Sequence, residues 1–319
     1  MIRWGIIGCG NVTEMKSGPA FNKVANSSLV AVMRRDVQKL QTYALQHNVP
    51  LTFTDAKDLI HCDQVDAVYI ATPPHMHESY ALEAIAAGKP VYVEKPMALD
   101  VASCERMQLA AQKANIKLVI AHYRRALPLF MRVKELLDQN AIGKVSEVSI
   151  TMHKPIKEHD TNSNNWRVDP SIAGAGYFYD LAPHQLDLLF YFFGEALSYQ
   201  GSARNQSKTY FAEDTVEGTI EMKNGIICKG DWCFCSHESK DEFLIKGDKG
   251  SIAFPVFGHV ITKMIDGDLT EEHFEPPLHN QQGLIEKIVP YFMGGDANPC
   301  SASDAIQSMR VMEAFVYGK

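Results

Sequence analysis

The residues with the clearest chemical potential stand at the start of the sequence. Gly8-Cys9-Gly10-Asn11-Val12-Thr13 follows an apolar run directly and opens a segment of helical period, the context in which a glycine-rich loop cradles phosphate. Gly8 can make the tight turn, and bare backbone at Gly10 lets a pyrophosphate approach the amides and the positive dipole end of the following helix. Thr13 stands where a third glycine is expected and leaves less room between helix and strand. A plain strand-to-helix turn has a similar look, but the flanking elements favour a dinucleotide held by Gly8, Gly10, Asn11 and Val12. The second apolar run ends in Arg34-Arg35, where NAD-preferring sites place an acid against the adenosine ribose. A guanidinium offers a fork of donors to a 2′-phosphate, so the pair points to NADP, with NAD open if an acid elsewhere reaches the ribose. Solvated arginines beside a helix start capped by Asp36 are the alternative.

Three further groups could carry the chemistry. Lys95, in Glu94-Lys95-Pro96, closes another apolar run, and the strand ends of an open parallel sheet are where a ligand crevice forms. Asp180 and His184 are four residues apart in an expected helix over Tyr177–Phe193, so both lie on one face. A neutral imidazole can accept a hydroxyl proton, while the carboxylate binds a hydroxyl or orients the ring. A capped, salt-bridged helix explains the same spacing, and Asp187 one turn later reads as its anchor. Cys228, Cys233 and Cys235 share one expected strand region, but no paired spacing completes a tetrahedral zinc site, so no metal is expected.

The elements that must position these groups alternate at first. Short β-branched runs at Arg3–Gly8, Leu29–Met33, Ala67–Ala71, Val91–Glu94 and Leu118–Ala121 are separated by helical segments such as Ser79–Ala87 and Val101–Ala114, the grammar of a doubly wound parallel sheet. After a helix expected near Leu127–Gln139, strands follow one another at Val145–His153, Thr215–Met222, Ile226–Cys235, Phe243–Lys246 and Ser251–Phe254. Turns at Asn224-Gly225 and Asp248-Lys249-Gly250 favour an antiparallel α+β second domain, closed by a helical Ser303–Val316 segment. The change of grammar divides the chain into 1–122 and 123–319.

Ala71-Thr72-Pro73-Pro74-His75-Met76-His77 contains a Thr-Pro-Pro-x-x-His stretch. Together with the glycine loop, Glu94-Lys95-Pro96 and Asp180-x-x-x-His184, in that order, it makes the whole chain similar to the Gfo/Idh/MocA oxidoreductase family. The resemblance implies an N-terminal Rossmann domain and a C-terminal domain with a large open-faced, mainly antiparallel sheet. It also implies a homodimer or homotetramer packed through that sheet. Lys95 aligns with a catalytic or substrate-orienting lysine, and Asp180 and His184 with the family's Asp and His. Thr72, Pro73, His77, Glu94 and Arg124 fall at cofactor-side positions. Trp166-Arg167 resembles a pair beside the nicotinamide, and His122 departs from the family pattern. The expected activity is hydride transfer between NAD(P) and a sugar, cyclitol or related diol. A redox-neutral enzyme with tightly retained cofactor and a non-enzymatic nucleotide sensor are the alternatives.

Composition narrows the partners. In 319 residues, 38 acidic side chains against 31 basic ones give a net charge of -7, which offers no general attraction to nucleic acid or anionic lipid. No window reaches the ~20 apolar residues of a membrane span. Seven cysteines spread over both halves fit reduced thiols in the cytoplasm better than a disulfide framework.

Overall fold

Six short strands account for the early apolar runs: β1 (Ile2–Ile7), β2 (Ser27–Met33), β3 (Leu51–Phe53), β4 (Ala67–Ile70), β5 (Val91–Val93) and β6 (Leu118–Ile120). In the structure, a computed structural model describing residues 1–162, 165–295 and 297–318, they form one sheet in the order β3-β2-β1-β4-β5-β6. Ser163 and Asn164 of the 155–169 loop lie outside the described residues. Every pairing in this sheet is parallel. With helices on both faces, Ile6, Ile7, Val68, Ile70, Val91 and Val93 are fully buried, which is why these strands read as continuous apolar runs. The winding reverses between β1 and β4, and ligand crevices open at that switch point.

The segment after the glycine loop departs from a regular helix. Residues 13–17 make a wide π-type turn and Gly18–Asn22 a tight 3₁₀ turn, with Pro19 unable to donate to Met15. The carbonyls this frees are taken up from far along the chain. His279 Nδ1 donates to Met15 O at 2.6 Å and the Gln281 amide to Lys16 O at 3.0 Å.

The second sheet has eight strands: β7 (Val145–His153), β8 (Ala196–Arg204), β9 (Thr215–Met222), β10 (Ile227–Cys233), β11 (Lys240–Gly247), β12 (Gly250–Phe254), β13 (Val260–Ile265) and β14 (Asp268–His273). Their order is β14-β13-β12-β11-β7-β10-β9-β8, antiparallel except where β10 lies parallel to β7. The helix Gly176–Phe193 is bound to this sheet by aromatic contacts. Phe178 meets Trp232 edge-on at 5.1 Å, and Phe192 meets Phe243 at 6.1 Å and Phe254 at 6.3 Å. Trp232 Nε1 donates to Gln185 Oε1 at 2.7 Å, satisfying a buried indole on the helix itself.

The fold adds a returning segment to the division expected near residue 122. The chain forms two compact units, Met1–Ala126 with Pro277–Ile306, and Leu127–Pro276 with Gln307–Lys319. The returning segment lies along the outer edge of β6. Ile120 N donates to Cys300 O at 3.1 Å, and Asn298 Nδ2 donates to Leu118 O at 2.9 Å. An open edge strand invites unwanted pairing, and this return covers it.

Candidate active site

In the first unit, Gly8 has φ +91°, and a Cβ there would come 2.8 Å from Thr72 Cγ2 and 3.0 Å from Ala71 O. The glycine loop thus abuts the Thr72-Pro73 turn so closely that only glycine fits. A Cβ on Gly10 would meet nothing nearer than Gly8 O at 3.9 Å. Packing within the protein does not demand glycine there; a ligand lying on the loop would, and a pyrophosphate fits that open cradle. Thr13 Oγ1 donates to Gly10 O at 2.8 Å and accepts from Gly10 N at 3.0 Å. The residue in place of a third glycine therefore clamps the loop. Asn11 is exposed and Val12 half-buried at the rim.

Arg34 reaches back over this loop, its Nη1 donating to Cys9 O at 2.9 Å, while Arg35 is exposed. Asp36 caps the next helix through Lys39 N at 3.0 Å, so the nearest acid is already engaged. Cys9 is 1% exposed and burial pushes its thiol up to about 11. That suits a packing residue.

Two residues expected beside a cofactor turn inward instead. His77 is fully buried, with Nδ1 2.9 Å from Pro96 O and Nε2 2.8 Å from Thr72 O. It clips the turn after β4 to the exit of β5. Glu94 is 6% exposed; its carboxylate accepts from Tyr69 Oη at 2.6 Å, Gln281 Nε2 at 2.5 Å and Lys95 N at 3.1 Å. Tyr92 Oη completes the network by donating to Gln281 Oε1 at 2.7 Å. Both side chains therefore hold the strand ends in place, which leaves half-buried Lys95 as the polar residue of this stretch with a solvent-facing side. Arg124 is 7% exposed in a short turn after β6, its guanidinium 5.4 Å from the Tyr123 ring centre.

In the second unit, Gly174 and Gly176 take φ +71° and +58° to start the Gly176–Phe193 helix, and a Cβ on Gly176 would come 2.7 Å from Ala212 Cβ. The helix presents Asp180 to a cavity of about 230 Å³. Arg167, also lining it, places Nε 3.3 Å from Asp180 Oδ2 and lies 4.5 Å over the Trp166 ring. The expected Trp166, Arg167 and Asp180 are thus brought together. His184, 4% exposed, packs edge-on to Phe257 at 5.5 Å. Asp187, one turn further along the helix, is 1% exposed.

Lys154 was not anticipated from the sequence. It lines the same cavity and its ammonium sits 5.5 Å over the ring of Phe257, which His184 also meets. Burial and neighbouring Lys157 pull its ammonium below the usual lysine range, against the opposing pull of Asp180. Its position one residue beyond β7 is the sequence feature that could have marked it. Among the described residues no three His, Cys, Asp or Glu side chains gather closely enough to hold a metal ion. No described helix is long and apolar enough to cross a membrane.

An oxidoreductase family with an NAD-binding Rossmann fold matches residues 2–122, and the GFO/IDH/MocA C-terminal domain matches residues 130–253. A protein of Formosa agariphila named as an oxidoreductase is 44% identical over 316 residues, covering 98% of each chain. The chain belongs to the Gfo/Idh/MocA family. A 1,5-anhydro-D-fructose reductase of Ensifer adhaerens is 25% identical over 279 residues, 86% of this chain and 81% of its own. Levoglucosan dehydrogenase, solved with NADH and levoglucosan, shares the fold with a TM-score of 0.85 at 22% identity, over 98% of this chain and 96% of that one. As a Gfo/Idh/MocA member the chain is an oxidoreductase of the dehydrogenase/reductase class, with an NAD-binding Rossmann domain and a mainly antiparallel C-terminal domain.

Proposed function

We propose that this chain is a cytoplasmic NADP-dependent dehydrogenase or reductase acting on a CH–OH group of a sugar, cyclitol or related diol. The observation that carries the proposal is the polar cavity in which Arg167 holds Asp180 on the helix face that also bears His184. Relatives named for sugar and diol substrates support the substrate class. Arg34 at the loop, with Asp36 committed to its cap, supports NADP over NAD. A homodimer or homotetramer through the second sheet accompanies the proposal.

Bound nicotinamide supplies hydride acceptance or donation. The chain's residues manage the rest. Asp180, fixed by Arg167, accepts a hydrogen bond from a substrate hydroxyl and orients it. His184 takes the hydroxyl proton in oxidation and returns it in reduction. Lys95 donates to the carbinol oxygen, carried on a strand end that Glu94 and His77 keep rigid.

His184→Ala tests these roles. Turnover should fall by about 10²–10⁴-fold, the usual share of a general base, while the NADPH dissociation constant stays unchanged in fluorescence titration. Unaltered turnover, or an equal loss of nucleotide affinity, would remove His184 from the chemistry.

A further inference from the structure

The charges lining the cavity in the second unit do not cancel. Lys154, Lys157 and Arg167 face Asp160 and Asp180, leaving one positive charge in excess. Both carboxylates are already engaged. Asp180 is paired with Arg167 at 3.3 Å. Asp160, 4% exposed, accepts from the Tyr177 hydroxyl and from Lys157 N at 2.8 Å, with His159 Nε2 at 3.2 Å. Among the described residues no carboxylate stands within ion-pair distance of the Lys154 or Lys157 ammonium.

Lys154 is also held firmly in place. Its amide donates to Cys233 O at 2.8 Å and its carbonyl accepts from Ser236 N at 3.2 Å, extending the β7–β10 pairing by one step. Its ammonium lies over Phe257, whose own amide is fixed by Asp241 at 2.6 Å. Asp180, Asp241 and Asp160 act on this half-buried ammonium only from beyond ion-pair distance, and an incoming anion in direct contact would offset the cost of its burial.

We propose that the cavity takes a polyol bearing a carboxylate, of the uronic or aldonic acid class, with Lys154 as the group that binds the carboxylate. The single excess charge matches a monoanion. A phosphate dianion fits less well, because Asp160 and Asp180 share the cavity and the guanidinium best shaped for a phosphate is committed to Asp180. The substrate class deepens the dehydrogenase reading and rests on it, whereas the anion site can be tested by binding alone.

The probes are D-glucuronate with D-glucose, and D-galacturonate with D-galactose, titrated calorimetrically into protein saturated with NADPH. A uronate should bind at least about tenfold tighter than its neutral counterpart, an advantage that weakens with added salt. Lys154→Gln should abolish that advantage while leaving the neutral sugar's affinity unchanged, and Lys154→Arg should retain it. Equal affinity for acid and neutral sugar, no uronate binding, or an equal loss of both in Lys154→Gln would overturn the site. Turnover is read separately. A uronate bound through Lys154 but never oxidised upholds the anion site and counts against the dehydrogenase reading, whereas neutral sugars oxidised as well as uronates count against the anion site alone.

Discussion

Gly8 and Gly10 stand two residues apart in one loop and serve different ends. Gly8 needs its left-handed φ of +91° and would press a Cβ against Thr72 and the Ala71 carbonyl. Gly10 has open space on its side-chain side. Gly8→Ala should therefore lose stability by about 2–4 kcal/mol, combining left-handed strain and overpacking, with or without nucleotide. Gly10→Ala should melt like wild type yet bind NADPH at least about tenfold more weakly, because its methyl occupies ligand space. Thermal melts and fluorescence titrations of both variants check this, and a Gly10→Ala protein that binds normally would disprove the cradle. Both glycines were legible in the sequence because a loop's backbone needs are local. Glu94 and His77 were not. Their sequence position puts them at strand ends, but whether a side chain faces ligand or core depends on Tyr69, Gln281 and Pro96, which only the folded chain brings to them.

His77 also joins two elements, the turn after β4 and the exit of β5, and its protonation state affects that junction. Burial holds its pKa below the ordinary value near ~6.5 despite the carbonyls facing it. The unfolded chain then takes up the proton first as pH falls. The stability contributed by neutral His77 is complete above that ordinary value and is lost as pH drops toward the folded one. Melting temperature should fall across that window in wild type, and His77→Gln should show a shallower fall. Identical slopes would mean that His77 does not titrate as its burial demands. Other elements differ in how clearly sequence announces them. The helix Val101–Ala114 and strands β7 and β9 match expectation residue for residue, since buried positions alternate or recur at helical spacing. β8 and β14 are mostly exposed and carry little apolar pattern. The helix Gln282–Phe292 holds Pro290 within it, a residue that ordinarily marks a helix end.

At the scale of the whole molecule, the change from crossover units to consecutive strands marks the passage from the parallel six-stranded sheet to the mainly antiparallel eight-stranded one. The return of Pro277–Ile306 to the first unit was hidden, because edge covering and the capture of the Met15 and Lys16 carbonyls are long-range bonds with no local periodicity. The proposed use of NADP by this oxidoreductase predicts a specific nucleotide response. Thermal melts of wild type and Arg34→Asp should be followed with NADPH and NADH in parallel. At a hundredfold excess over its dissociation constant, NADPH should stabilise wild type by ~2.7 kcal/mol, a rise of several degrees. Arg34→Asp should lose most of that rise and respond better to NADH. Equal responses to the two nucleotides in wild type, or a response to neither from protein freed of retained cofactor, would contradict the account.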